Sequence, residues 1–426
     1  VQSVIREVAY GRIAKAERKD RHVKVAEYYE ARAPVEAAAV IASHYMDAYK
    51  ADPKEELAGK ARVALMNAAQ RATELKSHAQ ALGLVEQALK VPGSEEHQAA
   101  LWEFAAPAAA ALFRHEEGID YAKKALDWYT EHGSPSDRVR GANVLGTALV
   151  DADKPFDAVD AMEPYFDGDL ARQPEMMALG AELSRAQMRS FRFQEAADVA
   201  LAVLMAAEAT GNTPMAIEAM NTRGTVLGGL ARSYEAIALL REALRLAEQH
   251  ALPYATLRAL NNLSVEEFAN GIAALRDVWA RGYELAQRVM HGGLLVRMAG
   301  SYAAGLIEDG SFNDAITLLE DLDLGEETAW ADFFTALMES VRWIQTGDQV
   351  HIDRAREVNQ ATLEHPEPQY RSGGVDNEVA LRWLEGDLEG VLELAPQVDP
   401  AQPQHEFRHH ALAAAIKLGD AERLRG

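Results

Sequence analysis

The stretch SYEAIALLREALRLAEQ (233–249) decides the fold of this chain. Its apolar residues stand three, four and seven positions apart, the spacing that places side chains on one face of an α-helix. A second periodic stretch, 214–230, comes just before it, and only a few residues separate the two. The sequence therefore predicts a pair of antiparallel helices over roughly 214–230 and 234–250. The apolar face of the second helix consists of Ala236, Leu239, Leu240, Ala243, Leu244 and Ala247.

The same pattern recurs along the chain: a small residue follows an aromatic or polar pair, and an apolar helix ends in Ala-Leu or a similar pair. The copies are HAQALGLVEQAL (78–89), HEEGIDYAKKAL (115–126), PFDAVDAMEPYF (155–166), FQEAADVALAVL (193–204), SYEAIALLREAL (233–244) and FNDAITLLEDL (312–322). Their small anchor residues are Ala81, Gly118, Ala158, Ala196, Ala236 and Ala315. The anchors are separated by 37, 40, 38, 40 and 79 residues, so one more anchor is expected near Arg276. A period near 40 residues indicates an array of structural repeats.

Each period holds two amphipathic helices, and small residues occur where paired helices have to approach each other. A single helix pair cannot bury its apolar face, whereas stacked neighbours can. The sequence therefore predicts an all-α stack of helix pairs. The small residues of the first helices are Gly146, Ser184, Gly224, Ser264 and Ala303.

This register resembles the tetratricopeptide repeat (TPR). With Ala236 at position 20 of the repeat, Gly224 occupies position 8, and Ala243 and Leu244 occupy positions 27 and 28, where the TPR has small residues and Ala-Leu. The resemblance covers about 60–426. It departs from the family in lacking the tryptophan at position 4 and most terminal prolines, and in its longer period. It implies a right-handed superhelical solenoid of about nine antiparallel helix pairs, whose first helices line a concave groove.

The TPR register also implies which residues face that groove. Asparagine recurs at position 5 and arginine at position 2. An asparagine offers a donor and an acceptor to an extended peptide, and an arginine can bind carboxylates or phosphates with two hydrogen bonds. The alternative is structural, because these side chains could bond to the neighbouring repeat or pair with nearby acids. The candidate binding residues are Arg140, Asn143, Arg185, Arg189, Asn221, Arg258, Asn261 and Arg297.

Composition excludes several other functions. The net charge of −23 argues against nucleic-acid binding by the general surface, because phosphates would be repelled. The chain has no cysteine, which excludes disulfides and thiolate metal sites. It has neither a signal peptide nor an apolar run near 18 residues, so no membrane association is expected and the expected location is cytoplasmic. We find no phosphate-binding glycine loop, HExxH or GxSxG, and expect no catalytic residue, metal or cofactor within this chain.

The front of the chain does not follow the period. We interpret 1–75 as a helical junction and 76–426 as the repeat array with a truncated last repeat. The segment SVIREVAYGRIAKAERKDRHVKVAEYYE (3–30) and the later ASHY (42–45) resemble the junction between the nucleotide-binding half and the helical repeats of STAND-type signalling ATPases. Relatives of that kind often carry a class III adenylate or guanylate cyclase domain. The resemblance implies that this chain is the sensing part of a larger protein with ATPase and adenylate or guanylate cyclase activity elsewhere.

The resulting expectation is a non-catalytic sensor or scaffold. It would bind a protein, or an extended or acidic peptide, in its groove, contact neighbouring domains of the same polypeptide, and regulate an attached ATPase or nucleotidyl cyclase. Two alternatives stay open: the sensing region of a TPR-containing transcription regulator, and a plain structural adaptor.

Overall fold

The chain is an all-helical, TPR-like solenoid, which confirms the predicted fold class. The structure, a computed structural model, describes residues 13–267, 272–289, 292–308, 310–322, 329–365, 368–394 and 417, and no strand occurs in these ranges. It divides into two compact units, Val1–Phe166 and Asp167–Gly426.

The first unit contains eight described α-helices and ends in a short 3-10 turn, Glu163–Tyr165. The start of α7 shows why helices begin where they do. Ser134 and Asp137 form a capping box in which each side chain accepts a hydrogen bond from the other residue's backbone N–H, and Pro135 presets the first helical φ. The helices are α1 (Lys15–Glu30), α2 (Ala38–Ala51), α3 (Glu55–Glu74), α4 (His78–Leu89), α5 (Glu95–Ala110), α6 (His115–His132), α7 (Pro135–Asp151) and α8 (Pro155–Met162).

The second unit begins with a 3-10 turn, Gly168–Leu170, and continues with twelve described α-helices. The predicted pair at 214–230 and 234–250 is confirmed to within one residue at each end by α11 and α12. The helices are α9 (Pro174–Arg189), α10 (Phe193–Thr210), α11 (Thr213–Gly229), α12 (Ser233–Gln249), α13 (Pro253–Glu267), α14 (Ile272–Val289), α15 (Gly292–Glu308), α16 (Phe312–Glu320), α17 (Ala329–Thr346), α18 (Gln349–Leu363), α19 (Pro368–Glu385) and α20 (Leu388–Leu394).

A recurring turn joins the first helix to the second in the eight pairs whose left-handed turn residue is described. In each of these turns a single residue, one to three positions after the end of the first helix, has a left-handed backbone. In most of them the N–H of the next residue donates to the carbonyl five residues earlier, as from Lys154 to Leu149 at 2.9 Å and from Arg232 to Leu227 at 2.8 Å. This bonding closes the helix end and satisfies a carbonyl that would otherwise lack a partner. The left-handed residues of these turns are Lys76, Phe113, Asp153, Phe191, Ala231, Gly310, Gly347 and Gly386.

These turns define the repeat. From α3–α4 to α19–α20 the described residues contain nine successive helix pairs, in agreement with the predicted number. The turn at Lys76 joins α3 to α4, so the helix before position 75 already takes part in the repeating geometry. The predicted boundary at 75/76 between junction and array stays a prediction, as does the truncated last repeat, which lies outside the described residues.

The small residues predicted at helix crossings are buried there. The alanine anchors are at most 1% exposed, and Gly118 is also buried. A Cβ at Gly224 would lie 2.7 Å from Leu240 Cγ, and one at Gly118 would lie 3.0 Å from the Ala106 carbonyl oxygen. Only glycine permits helices to approach this closely. Arg276, near the expected missing anchor, lies in α14, with its side chain outside the described part of the structure.

Candidate partner-binding face

The first helices of the second unit present the predicted binding positions, and Arg258 on α13 shows how they are used. Its guanidinium forms an ion pair with Glu218 of α11, one period earlier, and donates from Nη2 to Thr222 Oγ1 at 3.4 Å. The Arg258 side chain is only 11% exposed. The arginine therefore links two neighbouring first helices, as the structural alternative in the sequence analysis describes.

Asn221 on α11 also joins neighbouring repeats. It is completely buried, and its Nδ2 donates to the backbone carbonyl of Ala255 at 3.4 Å. Its Oδ1 is enclosed and has no hydrogen-bond partner among the described residues. A partner in solution has no access to this side chain, so its direct contribution is to the contact between α11 and α13.

The accessible part of the face lies further along α13. Asn261 is partly exposed and donates from Nδ2 to the adjacent Asn262 Oδ1 at 3.2 Å. One turn later Val265 leaves 58% of its surface exposed. Thr225 of α11 occupies the same repeat position as Val265 and is partly exposed. This area combines amide groups with an apolar side chain, a combination that suits an extended peptide.

The remaining candidates of the second unit differ in what they contact. Arg185 on α9 binds Glu182 Oε1 from Nε at 3.1 Å and from Nη2 at 2.6 Å. Arg189 is partly buried at the end of the same helix. Arg297 lies in α15, and its side chain is outside the described residues.

In the first unit, Arg140 on α7 belongs to a partly buried cluster. Its Nε donates to Glu103 Oε1 at 2.5 Å and its Nη2 binds Asp137 at 2.9 Å, while Tyr129 donates to Glu103 Oε2 at 2.5 Å. Burial, followed by the Glu103 hydrogen bond, raises the pKa of Tyr129 to about 12, so the phenol remains a donor. Asn143, one turn further along α7, is partly buried with an enclosed Oδ1 that has no partner among the described residues.

These contacts revise the expected charge of the groove. The sequence predicts a polar to basic face, but Glu103, Glu182 and Glu218 each neutralise one of its arginines. The position-2 arginines reach back to a glutamate on the preceding first helix, 37 residues earlier for Arg140 and 40 for Arg258. The signal that was missed is therefore an acidic residue about one period before Arg140 and before Arg258.

Sequence reasoning also missed Glu266, beside Val265 on α13. Burial raises the pKa of its carboxyl to about 7. A Cβ at Gly228 of α11 would overlap this carboxylate, so Glu266 lies directly against the backbone of the neighbouring first helix. The only sequence signal is a glycine pair, Gly228-Gly229, that no turn requires. The pKa makes this part of the face sensitive to pH near neutrality.

Other kinds of site are not seen in the part of the chain that the structure describes. No group of three or more His, Asp or Glu side chains is arranged there to hold a metal ion. None of the helices in the described ranges has the length and apolar character needed to cross a bilayer.

Comparisons with known proteins identify the fold. No protein-family model matches the chain, and no curated protein matches it. Among solved structures, the apo form of RapI is 10% identical, with a TM-score of 0.52 over 85% of this chain and 99% of its own. Aspartyl phosphate phosphatase F from Bacillus subtilis is 13% identical, with a TM-score of 0.51 over 67% of this chain and 77% of its own. At these identities the likeness concerns the fold alone.

Proposed function

We propose that this chain is a non-catalytic scaffold that captures a protein or an extended peptide on the face formed by α9, α11 and α13. Capture would regulate an ATPase or nucleotidyl cyclase module attached to the same polypeptide, in the cytoplasm. No cofactor is involved in this function. The observation that carries the proposal is the accessible area at Asn261 and Val265, beside buried side chains that hold the first helices in register.

The chemistry of this area favours an extended segment over a strongly acidic one. Glu218 already occupies the guanidinium of Arg258, so an acidic peptide would have to compete with an internal carboxylate. The amide of Asn261 can instead bond to a peptide backbone without reading its sequence. Val265 would contact an apolar side chain of the partner, which removes both from water.

Site-specific photo-crosslinking tests the proposal. We place a photoreactive amino acid at Val265 in one variant and at Ala238, an exposed position on the second helix α12, in a matched control. Both variants are exposed to lysate of the source organism. We expect a discrete crosslinked partner from position 265 and a much weaker product from position 238. Asn261→Ala should reduce the product from position 265 severalfold.

Equal crosslinking from the two positions would contradict binding on this face. Asn221→Ala is a poor probe of binding, because that side chain is buried and its removal would disturb the contact with Ala255. Asn261→Ala leaves this buried contact in place.

The attached module is tested separately, by the gene sequence upstream of the codon for Val1. A Walker-type loop together with a cyclase domain would support the attached module, and a DNA-binding helix pair would instead support the sensing region of a transcription regulator. The support for the ATPase comes from the resemblance of 3–30 and 42–45 to a STAND junction. Of these, the motif IREVAY (5–10) lies outside the described residues.

A plain structural adaptor is the second candidate. It is favoured by the Arg258–Glu218 and Asn221–Ala255 contacts, which use predicted binding residues to join repeats. An adaptor needs no specific chemistry on the first-helix face. Crosslinking from position 265 that is insensitive to Asn261→Ala would favour this candidate.

A further inference from the structure

The helix α1 at the front of the first unit is attached to its neighbours in an unusual way. Among its described side chains, 17–30, only Ala26 is completely buried. The adjacent α2 buries six residues: Ala38, Ile41, Ala42, Tyr45, Met46 and Ala48. Fewer apolar side chains of α1 than of α2 are therefore buried in the unit.

Polar contacts replace the missing apolar ones. His22 Nδ1 lies 2.8 Å from His44 Nδ1 of α2, and the centroids of the two rings are 5.1 Å apart. Tyr45 donates its hydroxyl to Glu30 Oε2 at 2.7 Å.

Two longer ion pairs add to these contacts. Lys60 Nζ of α3 lies 3.5 Å from Glu27 Oε1, and Lys19 Nζ lies 3.8 Å from Asp52 Oδ2. Their charged ends are partly or well exposed, and ion pairs of this kind contribute little to stability.

Between α1 and α3 the helices are separated by an open cleft of about 450 Å³. Four carboxylates and one lysine line it together with uncharged residues, and Lys60 is the lining cation that reaches from α3 to α1. The lining residues are Glu27, Glu30, Tyr45, Glu55, Glu56, Gly59, Lys60 and Val63.

We propose that α1 is a releasable helix, and that protonation of both His22 and His44 detaches it from α2. The hydrogen bond between two Nδ1 atoms at 2.8 Å requires one ring to be neutral, because one nitrogen must accept. When both rings carry a proton, two N–H groups and two positive charges face each other at that distance. The contact then changes from attractive to repulsive.

Charged groups from all three helices lie near the pair or near α1. Asp47 Oδ2 of α2 lies 3.9 Å from His22 Nδ1. On α1, Arg18 and Lys19 lie one turn before His22, and Lys60 of α3 lies 3.5 Å from Glu27 of α1. A proton on both rings would place two positive charges at the Nδ1–Nδ1 contact, and that repulsion is relieved when α1 leaves.

The cleft carboxylates contribute to docking while they are charged, because Glu30 accepts from Tyr45 and Glu27 pairs with Lys60. Carboxyl groups ordinarily take up protons near pH 4, whereas imidazole changes its charge between about pH 5 and 8. Release through the two histidines is therefore expected between about pH 5 and 8, above the carboxyl range.

Because the chain has no cysteine, a spin-label pair can be introduced without removing any residue of that type. We label Lys24→Cys on α1 and Val40→Cys on α2, both exposed. Electron paramagnetic resonance then gives the distance distribution at about pH 7.5 and about pH 5.5. A control pair, Lys123→Cys on α6 and Asp160→Cys on α8, reports on the rest of the same unit.

We expect one narrow distance distribution at the higher pH and an added broad component at longer distances at the lower pH. The population of the broad component should increase about tenfold or more, because losing one hydrogen bond of about 1.4 kcal/mol changes an equilibrium by that factor. The control pair should not change. His44→Gln, which supplies an uncharged acceptor, should keep the distance narrow at both values.

Three results would overturn the proposal: no change in the unsubstituted chain, the same change in His44→Gln, or simultaneous broadening of the control pair. If His44→Gln fails to fold, as judged by the control pair, His22→Gln replaces it, because it also leaves a single ionisable ring at the contact.

Discussion

Two helix pairs of the first unit, α7–α8 and α1–α2, are held together by opposite means. At α7–α8, Gly146 lies against the buried side chain of Met162, and the anchor Ala158 is completely buried. At α1–α2, the closest contacts are His22 with His44 and Tyr45 with Glu30, and α1 buries only Ala26 among its described side chains.

The difference shows that the repeats and the helix before them are stabilised by different forces. The close packing of α7 against α8 depends on volume and should vary little with pH, because Gly146, Ala158 and Met162 carry no titratable group. The α1–α2 contact depends on protonation states and on hydrogen bonds to charged groups. A substitution that adds a methyl group should therefore lower stability most at α7–α8. A substitution that removes a hydroxyl should lower it most at α1–α2.

The largest effect is expected for Gly146→Ala. The added Cβ would overlap Met162, whose completely buried side chain has little room to move. We expect unit 1 to lose about 2 kcal/mol of unfolding free energy, measured by urea unfolding. Gly83→Ala on α4 is the matched control, because a Cβ there meets nothing within 4 Å. The control should gain about 0.5–1 kcal/mol from helix propensity.

Equal responses of the two glycine variants would show that the α7–α8 contact can expand, and the contrast with α1–α2 would then be wrong. A loss confined to Gly146→Ala would assign the stability of the repeats to close helix approach.

A smaller effect is expected for Tyr45→Phe, which removes only the hydroxyl that Glu30 accepts. The loss of a hydrogen bond to a carboxylate should weaken α1 docking by about 1.5 kcal/mol, seen as about tenfold faster hydrogen exchange of α1 amides. Exchange in α7 should be unchanged. Equal acceleration in both helices would contradict a local role for this bond.

The same hydroxyl gives a pH expectation. Burial, followed by the hydrogen bond to Glu30, raises the pKa of Tyr45 above its ordinary value of 10.0. A raised pKa stabilises the folded state at pH values below the unfolded pKa, and this contribution is lost as the pH rises through the folded pKa. The Tyr45 contribution to docking should therefore be constant up to about pH 10 and decline above it.

Sequence periodicity predicted the packed pairs well and the polar one poorly, for a physical reason. Anchors such as Ala236 and Ala315 repeat because helix approach has to recur in every pair. The repeat period does not extend to the α1 stretch, and of its apolar residues Val23, Val25, Ala26 and Tyr29 only Ala26 is completely buried.

The candidate binding residues show a similar limit. The register placed Arg258 and Asn221 correctly on first helices, but register alone does not distinguish a side chain that faces a partner from one that bonds to the next repeat. That distinction depends on which carboxylate or carbonyl lies opposite, and the opposite residue belongs to another repeat about 34–40 positions away. Their roles in binding stay predictions.

The smallest effect is expected at the turn that joins α5 to α6. Phe113 has a left-handed φ of 60° and is 83% exposed, so its ring gains little from packing, while a Cβ in this conformation costs free energy. Phe113→Gly should stabilise unit 1 by about 0.5–1 kcal/mol in urea unfolding. Ala111→Gly, two residues earlier at an ordinary helical φ of −63°, should destabilise it by a similar amount. If both variants lower stability alike, the left-handed turn carries no strain, and side chains at these turns contribute to stability in a way that glycine cannot replace.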